Sequence, residues 1–417
     1  MKRDGLTAAI SCAGAFVKWI ITGVAIGLIC GAAGALFAHS VNWATSFRAS
    51  HDYLIWLLPI GGLFIAGIYR LAKLPLSTGT DRIITSVRTQ EKVPVAMAPL
   101  IFISTVATHL LGGSAGREGA ALQLGGSIAA WLGDMAPHRR DDRRIFELCG
   151  MAALFSALFG TPFTAAIFVM EVVDVGAIYY RALLPCAASA VTASLLAAKM
   201  GVHAEVFPLA QSLAATCAPE ILRAAFLAAL CALVAILFCK TMHAAPKLLK
   251  KILPNEFARI FAAGAAIALI TMISGSRAYN GGGMDIIARA LTAGEAKPWA
   301  FAAKIGMTAL TLGAGFKGGE IVPSFFVGAT FGCAVGGLIG LNPVLGAAIG
   351  LVAVFCGVTN APVASVILSV EMFGSEYLPF FGVAAAVSFM LSGHVSLYHT
   401  QNFINRKLGL EAPEDKG

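Results

Sequence analysis

Long apolar runs, separated by short glycine- and proline-containing breaks, cover most of the chain. Long runs occur at 12–47, 53–69, 182–198, 222–239 and 260–276. Each is about as long as, or longer than, the roughly 20 residues with which an α-helix crosses a bilayer. The pattern predicts an all-α polytopic membrane protein whose helices are full or tilted spans.

Another apolar stretch is cut into short pieces by prolines. Residues 321–370 contain no charged side chain, yet prolines interrupt them at Pro323, Pro343 and Pro362. In a bilayer, irregular backbone is tolerated only where it is buried in protein or lines a cavity. We therefore expect broken helices that surround an internal site.

The composition supports one integral membrane domain. Of 417 residues, 58% are hydrophobic and 12% are charged, against roughly 25% charged in soluble domains. Basic residues cluster at 2–3, 138–144 and 240–251, which predicts cytoplasmic loops and termini. No aromatic side chains alternate with these clusters, so no nucleic-acid partner is expected.

The cysteines and the first apolar run add two negative expectations. The 9 cysteines are scattered singly, without a C-x-x-C pair or a histidine at ligand spacing, so we expect small core residues and no metal or other cofactor. The first run contains Lys18 and Trp19 and lacks a small-residue cleavage site. We expect it to be retained as a membrane span.

Two motifs recur in the same order in the two halves of the chain. Residues 116–120 align with 319–323, and the aligned runs then share further glycines. Residues 161–171 align with 361–371, with proline, isoleucine and glutamate in register. Two matches at nearly the same offset indicate a duplicated transporter.

This duplication divides the chain into four predicted parts. They are a first transmembrane repeat at 1–202, a linker at 203–219, a second transmembrane repeat at 220–400 and a short tail at 401–417. Repeated halves with interrupted helices at matching positions point to a substrate site near the membrane midplane.

Two glycine-rich turns, at 112–120 and 313–323, are the predicted centre of that site. Turns that open into helices present free N–H groups and the positive end of the helix dipole, so the expected substrate is an anion. Glu118 lies within the first turn. A carboxylate at membrane depth costs a few kcal/mol to hold, so we interpret it as a functional acid; the alternative is a surface or pore-mouth carboxylate.

These motifs resemble those of the CLC family of anion channels and proton-coupled anion transporters. Residues 116–119 match its G-R-E-G-P signature up to the proline, and 319–323 resemble its G-x-F-x-P motif with Ile321 for phenylalanine. Thr80 falls at the serine of a first-half motif, and Tyr398 at the tyrosine that coordinates the central anion. The resemblance covers nearly the whole chain. It implies a CLC-like inverted repeat of broken and tilted helices, and a homodimer with one pore per subunit.

Two departures from the family pattern favour its fluoride/proton antiporter branch. Val172 stands where the chloride exchangers carry an internal proton-path glutamate, and Glu320 replaces an apolar residue of the second-half motif. That branch often has methionine at the position of Thr80. The resemblance implies export of fluoride, driven by protons, across a bacterial inner (plasma) membrane. The bacterial assignment follows from a chain with no room for the nucleotide-binding pairs of larger relatives.

The candidate site residues follow from these motifs. Glu118 is the predicted gating and proton-coupling acid. Residues of both halves form the predicted anion site: Thr80, Gly116, Gly119, Gly319, Glu320, Ile321 and Tyr398. Simpler roles exist for three of them, namely a helix-dipole charge for Glu320, a helix cap for Thr80 and an interfacial tyrosine for Tyr398.

Three further side chains are given supporting roles. Glu171 and Glu371 end the matching repeat segments, which favours a structural role such as bonding backbone amides at helix ends. Arg117 is expected to anchor the first turn through a salt bridge or carbonyl contacts.

Two alternatives stay open. The nearer is a chloride/proton antiporter or chloride channel of the same family, so the partners are fluoride or chloride, protons, membrane lipid and a second subunit. The other is an enzyme, because residues 112–116 match the G-x-S-x-G motif around Ser114. No strand-turn-helix context accompanies that motif, so no enzyme is expected.

Overall fold

The computed structural model describes residues 2–135, 142–209, 213, 216–404 and 407, with side chains from residue 11 onward. Within these residues the chain forms sixteen α-helices. Those before the predicted linker are α1 (Lys2–Ser50), α2 (Leu58–Leu71), α3 (Thr80–Thr89), α4 (Met97–Leu111), α5 (Glu118–Met135), α6 (Arg143–Phe159), α7 (Pro162–Glu171) and α8 (Leu183–Lys199). Six helices of the described chain are long and apolar enough to cross a membrane.

The second half repeats this number of helices. They are α9 (Ala218–Ile252), α10 (Glu256–Ile273), α11 (Met284–Thr292), α12 (Ala300–Ala314), α13 (Ile321–Leu338), α14 (Pro343–Thr359), α15 (Pro362–Phe373) and α16 (Leu378–Leu391). A short parallel pair joins β1 (Asp174–Val175) to β2 (Asn402–Phe403). The all-α polytopic fold predicted from the apolar runs is confirmed.

Glycines bring matching helix pairs into close contact in both halves. A Cβ added to Gly125 of α5 would collide with the carbonyl oxygen of Gly150 in α6, and Gly328 of α13 faces Gly350 of α14 in the same way. Such small-residue interfaces let helices approach at backbone distance. The two pairs hold α5 and α13, whose N-termini face the site described below.

Reciprocal carboxylates join the two halves. Glu171, at the end of α7, accepts hydrogen bonds from the amides of Val363 (3.2 Å) and Ala364 (2.8 Å) in the first turn of α15. Glu371 of α15 accepts from the two equivalent amides of α7, at 3.0 and 2.8 Å. These amides have no partner within their own helices. The predicted bonding of backbone amides by this pair is confirmed.

We expect Glu171→Ala to lower the stability of the protein, because it leaves two amides of α15 without their acceptor. The loss should be about 1–3 kcal/mol in the free energy of unfolding, and Glu171→Gln, which keeps one acceptor oxygen, should lose less. Thermal unfolding in detergent measures both, with the exposed Glu376→Ala as control. Equal stability of Glu171→Ala and that control would contradict the assigned role.

The basic clusters differ from the prediction. Residues 240–251 do not form a loop, because α9 continues through Pro246 to Ile252. Lysines in the last turn of a helix are stabilised by its dipole, so the cluster extends the helix beyond its apolar part. Arg143 and Arg144 begin α6 and pair with carboxylates, whereas residues 138–141 of that predicted loop lie outside the described chain.

The predicted linker and the described elements overlap slightly. Residues 203–209 form no helix, but α9 begins at Ala218, so the last two residues assigned to the linker are helical. The division of the chain into two repeats stays a prediction.

Candidate functional site

The two glycine turns meet in the structure. Gly116 and Gly319 form an isolated antiparallel bridge in which each amide donates to the other's carbonyl oxygen at 2.7 Å. Helix α5 begins at Glu118 and α13 at Ile321, so two helix N-termini lie beside this glycine bridge. Free N–H groups and two positive dipole ends are therefore concentrated at one place.

The bridge leaves no room for side chains. A Cβ on Gly119 would lie 2.9 Å from the Cα atom of Gly319 and 3.0 Å from Oε2 of Glu320. A Cβ on Gly319 would lie 3.0 Å from the amide nitrogen of Glu118. The glycines of the motif are thus required by the approach of one turn to the other.

Glu118 is buried at the start of α5, with 2% of its surface exposed. Its Oε2 accepts a hydrogen bond from the Arg117 amide at 2.8 Å, and its Oε1 lies 3.6 Å from Nε of the same arginine. The arginine also donates to Asn42 at 2.8 Å and pairs with Glu205 at 3.2 Å. The predicted anchoring of the turn by Arg117 through a salt bridge is confirmed.

Two cavities flank the glycine bridge. The larger, about 780 Å³, is lined by Gly116, Arg117 and Glu118, and we call it the Glu118 cavity. The other, about 400 Å³, is lined by Thr80, Glu320 and Tyr398 among others, and we call it the Glu320 cavity. The structure therefore separates the predicted site residues, because the two candidate acids line different cavities.

A hydrogen-bonded chain connects Thr80 to the bridge. The Thr80 hydroxyl donates to the carbonyl oxygen of Gly119 at 3.4 Å and accepts from the side-chain amide of Gln123 at 3.1 Å. The N-cap position of α3 is occupied by Gly79, one residue earlier, so the simpler role of a helix cap is not observed for Thr80. Gln123 was missed from the sequence, although a glutamine inside the apolar run of α5 is an unusual placement.

Glu320 and Tyr398 carry buried polar atoms without hydrogen-bond partners. In the described part of the chain, neither Oε2 of Glu320 nor the Tyr398 hydroxyl has a partner within the protein. Most buried polar atoms in proteins are paired. Both residues line the same cavity, and so does the segment 76–81, which we call the Thr80 loop. The fully buried Ile321 begins α13 at the edge of this cluster.

Ser114 has no histidine among its side-chain contacts in the described residues. Its hydroxyl bonds to that of Thr308 at 3.1 Å, and its amide donates to the Thr311 hydroxyl at 3.0 Å. His109 bonds instead to the Thr105 carbonyl oxygen at 2.9 Å. These contacts fix the first turn against α12 and give the serine no base.

The comparison with known protein families decides the classification. The model of a family described as voltage gated chloride channel matches residues 61–393. The chain belongs to this family. The matched segment contains Thr80, Glu118 and Glu320, whereas Tyr398 lies just beyond it.

Individual relatives of the family extend the match to nearly the whole chain. A "Chloride/fluoride channel protein" of Pseudomonas syringae pv. tomato is 36% identical over 412 residues, which is 95% of this chain and 89% of the relative. A crystal structure of a CLC-type fluoride/proton antiporter superposes with a TM-score of 0.89 and 30% identity, covering 93% and 98% of the two chains. The resemblance to the CLC family and to its fluoride/proton antiporter branch is confirmed.

A second structure supports the fold alone. A slow cyanobacterial Cl⁻/H⁺ antiporter superposes with a TM-score of 0.78 at 18% identity, covering 90% of this chain and 94% of that one. In the present chain Val172 is fully buried, and its carbonyl oxygen accepts a hydrogen bond from the Gln401 side chain at 3.1 Å.

Proposed function

We propose that this CLC protein is a proton-coupled fluoride exporter, an F⁻/H⁺ antiporter in which Glu118 is the gating and proton-coupling acid. The observation that carries the proposal is the placement of two carboxyl groups, those of the buried Glu118 and the half-buried Glu320, in two cavities that flank one glycine bridge. The names of the relatives support it, since one is a chloride/fluoride channel protein and another a CLC-type fluoride/proton antiporter.

Glu118 couples protons to anions by competing for the same donors. Its ionised carboxylate accepts from the Arg117 amide at the start of α5, where the helix dipole favours a negative charge. Protonation neutralises that charge and weakens its hold on the donor. The side chain then leaves with its proton toward the Glu118 cavity, and an anion occupies the vacated donors. Return of the carboxylate displaces the anion and requires loss of the proton.

The remaining anion ligands lie across the bridge and suit a small, hard anion. The Tyr398 hydroxyl is a donor without a partner in the described chain, and Glu320 in its protonated form donates as well. Hydrogen bonds to a charged acceptor are short and about twice as strong as neutral ones, which helps to replace the hydration of fluoride. The assigned cluster is completed by Thr80, by Gly119, whose carbonyl oxygen the Thr80 hydroxyl bonds, and by Gly319, which packs against Gly119.

We further propose that the protein works as a homodimer, with one pore in each subunit, in a bacterial plasma membrane. The bacterial relatives and the family resemblance support both statements. Export of cytoplasmic fluoride driven by proton entry would protect a cell in acid surroundings, where HF enters by diffusion.

Anion efflux from proteoliposomes tests the substrate. Vesicles containing the purified protein are loaded with fluoride or chloride, and release is followed with an electrode specific for each anion. The proposal expects fluoride release to exceed chloride release by at least about tenfold, the equivalent of 1.4 kcal/mol in selectivity. Equal rates would support instead the alternative of a chloride/proton antiporter or chloride channel.

A further inference from the structure

Lys317 lines the Glu320 cavity but has no role in the mechanism above. It lies three residues before Glu320 in the second glycine turn and is only 7% exposed. Its Nζ atom donates to the carbonyl oxygens of Leu76 and Thr78, the latter at 2.8 Å. The same atom lies 4.6 Å from the ring centroid of Tyr69.

These contacts join the two halves of the chain at the anion site. Leu76 and Thr78 belong to the loop between α2 and α3, and Thr78 precedes Thr80 by two residues. The ammonium group therefore fixes the loop that carries one candidate ligand against the turn that carries another. Removing it would free the loop at its point of contact with Gly119, where the Thr80 hydroxyl is bonded.

The charge of Lys317 has no direct counter-charge. Within the described residues it forms no ion pair. An ammonium group has three donors, and two of them are used by the carbonyl oxygens. A buried charge is costly unless a negative group compensates it. Three carboxylates line the same cavity, those of Asp81, Glu256 and Glu320, and none of them forms an ion pair with Lys317. An anion bound beside Glu320 adds a negative charge to this cavity.

We propose that Lys317 is a positioning residue of the anion site. It holds the Thr80 loop against the second glycine turn and supplies the positive charge that a bound anion balances. The inference rests on the proposed function for its choice of fluoride as probe, but its physical content applies to any small anion in this cavity.

A second buried lysine provides a matched control. Lys304 of α12 is fully buried, and its Nζ also donates to two backbone carbonyl oxygens, those of Tyr279 (3.1 Å) and Gly281. It also lies over an aromatic ring, that of Phe326, at 5.3 Å. It is absent from the linings of both cavities. Its loss should cost stability without changing the lining of the Glu320 cavity, in which Lys317 lies.

The test measures initial efflux rates over a range of anion concentrations for Lys317→Gln, Lys317→Arg and Lys304→Gln in proteoliposomes. We expect Lys317→Gln to raise the half-saturating fluoride concentration about tenfold through loss of the charge, with a smaller change in maximal rate. Lys317→Arg, which keeps the charge, should stay within about threefold of the native value. Lys304→Gln should lower the unfolding temperature and leave the half-saturating concentration unchanged.

The outcomes separate this inference from the proposed function. A native half-saturating concentration in Lys317→Gln, or the same rise in Lys304→Gln, would overturn the role of Lys317. If Lys317→Gln does not fold, Lys317→Arg decides, because a tenfold rise despite the retained charge would refute the electrostatic part. The series is repeated with chloride. If the native protein carries chloride and not fluoride, the proposed substrate is wrong. The role of Lys317 is then decided by the half-saturating chloride concentrations of the same variants.

Discussion

Glu118→Gln should abolish proton movement coupled to the anion. The amide is nearly the same size and still reaches the Arg117 amide nitrogen, but it cannot bind and release a proton. We expect proton flux to fall about 100-fold or more, the scale on which loss of a proton-transferring group acts. Fluoride movement should become uncoupled or very slow. A pH-sensitive dye and a fluoride electrode, read in parallel on the same vesicles, measure the two fluxes.

Glu205→Gln is the matched control for this variant. Glu205 lines the same cavity and pairs with the same arginine at 3.2 Å, but it lies outside the glycine turn. Its amide variant should keep coupled transport. Persistent uphill proton pumping in Glu118→Gln, or its loss in Glu205→Gln alone, would contradict the role assigned to Glu118.

Glu320→Ala should have the second-largest effect, and it should act on anion selectivity. The substitution removes a carboxyl group beside Gly119 whose buried Oε2 atom has no protein partner in the described chain. Hydrogen bonds that involve a charged group contribute about 1.5–3 kcal/mol, which corresponds to a 10- to 100-fold loss of fluoride transport. Chloride transport, if present, should change less, because chloride depends less on strong short hydrogen bonds.

The control for Glu320 comes from the same cavity. Glu256 lines it too but is exposed at the start of α10, so Glu256→Ala removes an acid without removing a buried donor. We expect the fluoride-to-chloride ratio to fall in Glu320→Ala and to stay native in Glu256→Ala. Glu320→Gln retains an N–H donor but no titratable proton, so its fluoride flux should lie between those of Glu320→Ala and Glu256→Ala. An unchanged ratio in Glu320→Ala would remove Glu320 from the anion site.

Part of the architecture could be predicted because two motifs recur in the same order along the sequence. The alignment of 116–120 with 319–323 predicted paired turns, and the structure places Gly116 and Gly319 in a mutual backbone bridge. The alignment that ends at Glu171 and Glu371 predicted amide-binding carboxylates, and each caps the other's helix. A recurring motif carries this information because similar local sequences can form similar contacts.

Other features depend on contacts that a single sequence does not encode. Nothing in the spacing of Lys317 indicates that its ammonium group reaches the carbonyl oxygens of Leu76 and Thr78, far away in the chain. The separation of Glu118 and Glu320 into two cavities likewise depends on the meeting of the N-termini of α5 and α13 at the glycine bridge. The charge of residues 240–251 alone predicts a loop, but a cluster of lysines is also stable at the C-terminal end of a helix, which is where α9 places it.

Fluoride-driven proton transport in vesicles tests the central claim most directly. Proteoliposomes loaded with fluoride are diluted into fluoride-free buffer at equal pH, with the membrane potential clamped, and the internal pH is recorded. The account predicts that fluoride leaving the vesicles drives protons inward against their developing gradient, in native protein and in Glu205→Gln but not in Glu118→Gln. Fluoride efflux from native protein without any proton uptake would contradict it.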